Sequence, residues 1–154
     1  MAFQNAFTRR GILAASAAGF AVSFLPHPAG GAQLSAGAQS AIDLIRKIRT
    51  IQKGRIALRA PAIAENGNAV PLTISVESPM TAADHVTRIH VFADKKPTPE
   101  VAVFHLTPVS GRAQVDTRIR LGQTQEVLVF AEMSDNSIFM SRAEVKVTIG
   151  GCGG

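Results

Sequence analysis

The chain has 154 residues, 46% of them hydrophobic, with no Trp or Tyr, so a single domain of ordinary length must build its core from Val, Ile, Leu, Ala and eight Phe. The net charge is +5, but two of those charges, Arg9 and Arg10, lie in a leader-like segment, and from Gln33 onward 14 basic residues face 11 acidic ones. That bias is small and scattered. No run of Lys or Arg interleaves with aromatics, which argues against a nucleic-acid face.

Residues 1–32 read as an export signal. Met1 to Arg10 is positive and has no acid, and Gly11 to Leu25 is an uncharged, mostly apolar run. That run is shorter than the roughly 20 residues a bilayer span needs, so no membrane anchor is expected. Pro26 to Ala32 supplies breakers and small residues, with cleavage expected after Ala32. Thr8-Arg9-Arg10-Gly11-Ile12-Leu13 resembles a twin-arginine signal, which implies a periplasmic location. His27 falls in this removable segment and is not counted as a ligand.

The mature domain is expected over 33–149. Leu34 to Lys53 predicts an amphipathic helix: Leu34, Ala38, Ala41, Ile42, Ile45, Ile48 and Ile51 share one face, and Gly54 stops it. The helix face is expected to pack on the domain's own sheet. From residue 55 the period changes to two. Strands are predicted at Arg55–Arg59, Val70–Val76, Val86–Ala93, Val101–Leu106, Arg112–Leu121, Gln125–Met133 and Ile138–Ile149. Val101–Leu106 is apolar on both faces and reads as central. Glu65-Asn66-Gly67-Asn68, Lys96-Pro97-Thr98-Pro99, Pro108-Val109-Ser110-Gly111 and Ser134-Asp135-Asn136 carry turn chemistry. Seven short strands with regular turns predict a mainly β fold, an immunoglobulin-like antiparallel β-sandwich over 55–149 with an N-terminal helix. The single cysteine leaves no internal disulfide to staple it.

That cysteine, Cys152, follows the last predicted strand in Gly150-Gly151-Cys152-Gly153-Gly154. A lone thiol in an exported chain stands out, because the compartment oxidises thiols. Four glycines around it offer no side chains to bury it and make ordering costly. Residues 150–154 are therefore expected to form a thin, mobile arm whose sulfur reaches ~10 Å from the sheet end at ~3.3 Å per residue. Lys146 is the nearest cation in sequence, and nothing local activates the thiol. Cys152 thus reads as a carrier that other enzymes act on, not as a catalyst. The competing meanings are an intermolecular disulfide on an exported interaction protein, a metal ligand shared between subunits, and an inert tail.

Val145-Lys146-Val147-Thr148-Ile149-Gly150-Gly151-Cys152-Gly153-Gly154 resembles the end of the SoxY family, the sulfur-carrier subunits of the Sox thiosulfate-oxidation system. Ala60-Pro61-Ala62-Ile63-Ala64-Glu65-Asn66-Gly67, Val70-Pro71, Ser78-Pro79-Met80-Thr81, Thr107-Pro108 and Thr117-Arg118-Ile119-Arg120-Leu121 extend the likeness over about 40–154. His85 stands where an aromatic is expected. The resemblance implies a covalent carrier, not an enzyme. Cys152 would be the attachment point for sulfur intermediates, and Gly150, Gly151, Gly153 and Gly154 the arm. It implies a heterodimer with a Z-type subunit. It also implies three enzymes that act on the cysteine: a haem cytochrome that couples thiosulfate to it, a manganese-dependent hydrolase that releases sulfate, and a sulfane dehydrogenase. No cofactor of the chain itself is expected.

His85, His90 and His105 lack helical metal-site spacing and read as ordinary sheet or turn residues, so no metal is expected. Asp84 and Glu132 are candidates to pair with a base. Arg118 and Arg120 share a strand face that could attract an anionic adduct or an acidic partner. Met80 is either a core cap or an apolar contact for the Z-type subunit.

Overall fold

The computed structural model describes residues 34–149, so the leader 1–32 and the arm 150–154 lie outside the described residues. Helix α1 (Ala36–Ile48) starts at Ser35, whose side chain accepts the N–H of Ala38. Ser35 also bonds Asp94 twice: its N–H donates to Oδ1 at 2.6 Å and its Oγ to the backbone carbonyl at 2.6 Å. The helix stops at Arg49, where the backbone turns extended. That is earlier than the expected end at Lys53. The β-branched Thr50 and Ile51 favour an extended chain, and Ile51–Gln52 pairs as a short strand instead.

The strands are β1 (Ile51–Gln52), β2 (Ile56–Arg59), β3 (Ile63–Asn66), β4 (Val70–Val76), β5 (Val86–Ala93), β6 (Glu100–His105), β7 (Gln114–Ile119), β8 (Gln125–Met133) and β9 (Ile138–Ile149). They form two sheets. The larger runs β1-β9-β8-β5-β6, with β3 also on β9, and the smaller runs β2-β4-β7. Gly54 (φ 99°) and Arg55 (φ 56°) are both left-handed and carry the chain from β1 into β2. The mainly β, immunoglobulin-like sandwich with its N-terminal helix is as expected. Two strands go beyond the seven expected, and both β1 and β3 run parallel to β9 while the other pairs are antiparallel.

The core between the sheets is built from alternate residues: Val70, Leu72 and Ile74 of β4 meet Ile89 and Val91 of β5 and Val127, Val129 and Ala131 of β8. Met80 joins this cluster and is buried, which settles it as a core cap. The other face of β8 carries Leu128 and Phe130, and α1 covers them with Ala38 and Ile42. The helix thus packs on its own sheet. Each fully buried Leu or Phe removes enough apolar surface to contribute about 2–3 kcal/mol. β6 is an edge, not the central strand its composition suggested. Val101, Ala102 and Phe104 are only half-buried, because they pack at the open margin of the core.

Candidate functional site

β9 is the element from which the cysteine segment departs. It ends at Ile149, three residue steps before Cys152. Cys152, Gly150, Gly151, Gly153 and Gly154 lie outside the described residues, so the site is built here from its root.

β8 supports β9 only as far as the pair Gln125↔Val145. Past that point the last four residues of β9 are held by other means. On one side runs β3, with Ile63↔Lys146, Ala64↔Val147 and Asn66↔Ile149 in register. The N–H of Lys146 donates to the carbonyl of Ala62 at 3.0 Å. On the other side a side chain replaces the missing strand: the N–H of Val147 donates to Thr124 Oγ1 at 3.0 Å. Thr148 Oγ1 donates to the carbonyl of Glu65 at 3.0 Å. The loop that carries Thr124 is itself fixed by Lys95, whose Nζ donates to the Thr124 carbonyl at 2.9 Å and whose N–H donates to Gln125 Oε1 at 2.8 Å.

Ile149 is 69% exposed and Ile63 is 60% exposed, so the root emerges at the surface. Glu65 and Lys146 are exposed beside them. β3 escaped the sequence reading because Ile63 faces outward and Ala64 inward, which inverts the expected pattern. The turn chemistry of Asn66 is real: its Oδ1 accepts the N–H of Asn68 at 2.9 Å and opens a short 3-10 turn over Gly67–Ala69. Thr124 carried no sequence signal at all.

The remaining candidates are dispersed. His85 Nδ1 lies 3.0 Å from the Thr81 carbonyl. His105 is exposed on β6, opposite Arg88. His90 sits on the outer face of β5, and its Nδ1 is 2.8 Å from Glu100 Oε1. Among the described residues no group of three or more His, Cys, Asp or Glu could hold a metal ion. Asp84 pairs with Arg55 at 3.4 Å, and Glu132 with Arg88 at 3.5 Å and Arg49 at 3.8 Å. Arg118 lines a shallow depression on the outer face of the smaller sheet with Pro71, Thr73 and Asp116, and Arg120 follows the end of β7. Thr73 and then Gln114 donate to Asp116 and hold its carboxyl below the ordinary 3.8. Among the described residues no helix is long and apolar enough to cross a membrane.

The sequence pattern of the family described as sulfur oxidation protein SoxY matches residues 43–152, a span that runs through β9 to the cysteine. The solved sulfur carrier protein SoxY from Chlorobium limicola f thiosulfatophilum is 31% identical, with a TM-score of 0.60 over 73% of this chain and 97% of that one. A superoxide reductase (neelaredoxin) from Ignicoccus hospitalis is 15% identical, with a TM-score of 0.57 over 63% of this chain and 94% of that one. A putative superoxide reductase from Thermotoga maritima is 18% identical, with a TM-score of 0.54 over 63% and 93%. These two share the fold alone. The comparison with curated proteins returned no match. A family pattern that spans most of the chain and a solved relative of the same fold lead to one assignment: the chain belongs to the SoxY family of sulfur oxidation proteins.

Proposed function

We propose that the protein is a periplasmic covalent carrier of sulfur intermediates, held on Cys152 during thiosulfate oxidation, and that it is a substrate of partner enzymes and not an enzyme itself. One observation carries this reading. The SoxY pattern continues through residue 152, and the sandwich ends three residue steps earlier at an exposed strand terminus. Glycine on both sides of Cys152 makes the segment narrow enough to enter a partner's channel.

The chemistry balances as follows. A haem cytochrome enzyme removes two electrons as the Cys152 thiolate joins the outer sulfur of thiosulfate, and a cysteine S-thiosulfonate forms. A manganese-dependent hydrolase adds water across the bond to the sulfonate sulfur. Sulfate and two protons leave, and a persulfide remains on Cys152. A sulfane dehydrogenase oxidises that outer sulfur to a sulfonate with three oxygens from water, passing six electrons to an electron acceptor and releasing six protons, and a second hydrolysis releases the group as sulfate and frees the thiol. The chain supplies the nucleophilic sulfur and its mounting, and Gly150, Gly151, Gly153 and Gly154 supply the arm. A Z-type subunit completes the carrier as a heterodimer. Arg9 and Arg10 direct export by the twin-arginine route, which moves proteins already folded or assembled.

Intact-mass spectrometry of protein from thiosulfate-fed cells, with and without reductant, tests the reading. Adducts of sulfur and sulfonate mass on Cys152, removed by reductant, are expected. A bare thiol or a doubled mass alone would overturn it.

A further inference from the structure

We infer that Thr124 and Thr148 are positioning residues for the carrier cysteine: with β3 they clamp the last four residues of β9 and so set the origin and length of its reach. The inference rests on the reading of Cys152 as the carrier.

The clamp is specific to the root. The β8 ladder ends at Gln125↔Val145, so without other partners the chain would be free from Lys146 onward. Instead the N–H of Val147 finds Thr124 Oγ1 at 3.0 Å, and Thr148 Oγ1 reaches back to the Glu65 carbonyl at 3.0 Å. β3 supplies the remaining support through its parallel pairing. β3 is a sheet margin of four residues with Ile63 and Glu65 exposed, and burial behind it is confined to Ala64 and its partner Val147, which meet the core. Short, exposed strand ends open readily unless tied.

The consequence is geometric. With the clamp closed, Cys152 is three residue steps from a fixed point. With both threonine bonds and the β3 pairing released it is seven steps from Val145, and its reach grows from ~10 Å to at most ~23 Å at ~3.3 Å per residue. A longer tether dilutes the thiol. Effective concentration at a target within reach falls roughly as the −3/2 power of length, which is about fourfold between three and seven steps. The clamp therefore limits the sulfur to within ~10 Å of the strand end, and a partner's channel mouth must be met inside that reach.

The test compares wild type, Thr124→Val/Thr148→Val and Thr124→Ser. Purified protein is loaded with tetrathionate: the Cys152 thiolate attacks an inner sulfur, thiosulfate leaves, and the S-thiosulfonate remains. A purified hydrolase of the sulfate-releasing type then acts on it at varied carrier concentration. Three readouts are taken: exchange of the Val147 amide proton, KM and kcat for sulfate release, and the rate of Cys152 alkylation by iodoacetamide in unloaded protein. The double valine variant is expected to speed Val147 exchange at least tenfold and to raise KM by up to about fourfold, the limit reached when β3 also lets go, with kcat and alkylation within twofold of wild type. Thr124→Ser, which keeps the acceptor oxygen, is expected to behave as wild type in all three. Faster exchange with unchanged KM would overturn the inference, and so would unchanged exchange or a KM raised as far by Thr124→Ser as by the double valine variant. Were wild-type protein to take up no tetrathionate-derived sulfur, the carrier reading itself would fall, whereas Val147 exchange would still report on the clamp.

Discussion

His90 stands between two carboxylates: its Nδ1 is 2.8 Å from Glu100 Oε1, and its Nε2 is 3.5 Å from Glu132 Oε1. Only the first contact is a hydrogen bond, and Nε2 is buried without a hydrogen-bond partner among the described residues. Glu132 also draws Arg49 from the end of α1 and Arg88 from β5, so five side chains converge on the outer face of the larger sheet. His90, Glu100 and Glu132 line an apolar cavity of about 250 Å³ with Ile45, Phe92, Phe130 and Ile138.

The two members of this cluster should respond differently to removal. His90→Leu deletes an unsatisfied buried nitrogen and frees Glu100, which already meets solvent. Stability is expected to stay within about 1 kcal/mol of wild type or to rise. Glu132→Ala leaves Arg49 and Arg88 without the carboxylate they share. A loss of about 1–2 kcal/mol is expected, discounted from a buried network because Arg88 is half-exposed. Urea unfolding of both variants decides it, and the idea fails if His90→Leu is the more damaging.

Phe130 joins the helix to the sheet. It is 1% exposed, lies in the cluster with Ala38 and Ile42, and meets Phe92 edge to face at 5.4 Å. Phe130→Ala is expected to cost about 3–5 kcal/mol, because α1 and β8 cannot collapse onto so large a gap. Phe104 on the open margin is only half-buried, so Phe104→Ala should cost clearly less. Chemical denaturation of the pair measures the difference. Equal costs would mean that β6 is covered in solution.

Much of this architecture is legible because apolar strand runs are separated by clear turn chemistry. Val70–Val76 and Ile138–Ile149 show the period of two, and Val86–Ala93 and Gln125–Met133 stand out as apolar runs between turns; all four have the bounds the sequence predicts, although Gln125–Met133 is buried on both faces. The failures have physical reasons. Ile51 is apolar in both a helix and a strand register, so periodicity carried the helix past Arg49. β6 is apolar on both faces, which composition cannot distinguish from a central position; its edge place depends on which strands pair. β3 has its isoleucine outward. The convergence on Glu132 requires strand register and a helix end together, and neither residue type nor spacing encodes that. At the site, Cys152 stood out in the sequence because glycine cannot bury it, but the clamp by Thr124 needed the knowledge that β8 stops short of β9.

Asp135 gives a pH dependence with a definite sign. Its Oδ1 accepts from Ser137 Oγ at 2.6 Å and from the Ser137 N–H at 2.8 Å, in the turn between β8 and β9. The side-chain bond first, then the backbone bond, hold its carboxyl below the ordinary 3.8. A folded value below the unfolded one favours the folded state wherever the group is ionised. That contribution is fully present above 3.8 and is lost as pH falls through the folded value. The stability difference between wild type and Asp135→Ala should therefore shrink on acidification below 3.8 and stay constant above about pH 5. Unfolding curves at stepped pH check it, and a gap that widens in acid would refute the assignment.

Replacement of Cys152 separates carrying from folding. The thiol lies past the last residue of β9, and no described residue depends on it for a disulfide, since the chain has one cysteine. Cys152→Ser is expected to leave the unfolding free energy within about 0.5 kcal/mol of wild type, as for substitutions away from packed features. Sulfur loading should nevertheless vanish, because a serine hydroxyl at neutral pH is a far weaker nucleophile than a thiolate. The same variant removes any disulfide-linked dimer seen without reductant. If thiosulfate-dependent electron flow survives in cells that carry only Cys152→Ser, the sulfur is held elsewhere. If electron flow stops while only the dimer had been present in wild type, the cysteine acts by linking chains and not by ferrying sulfur.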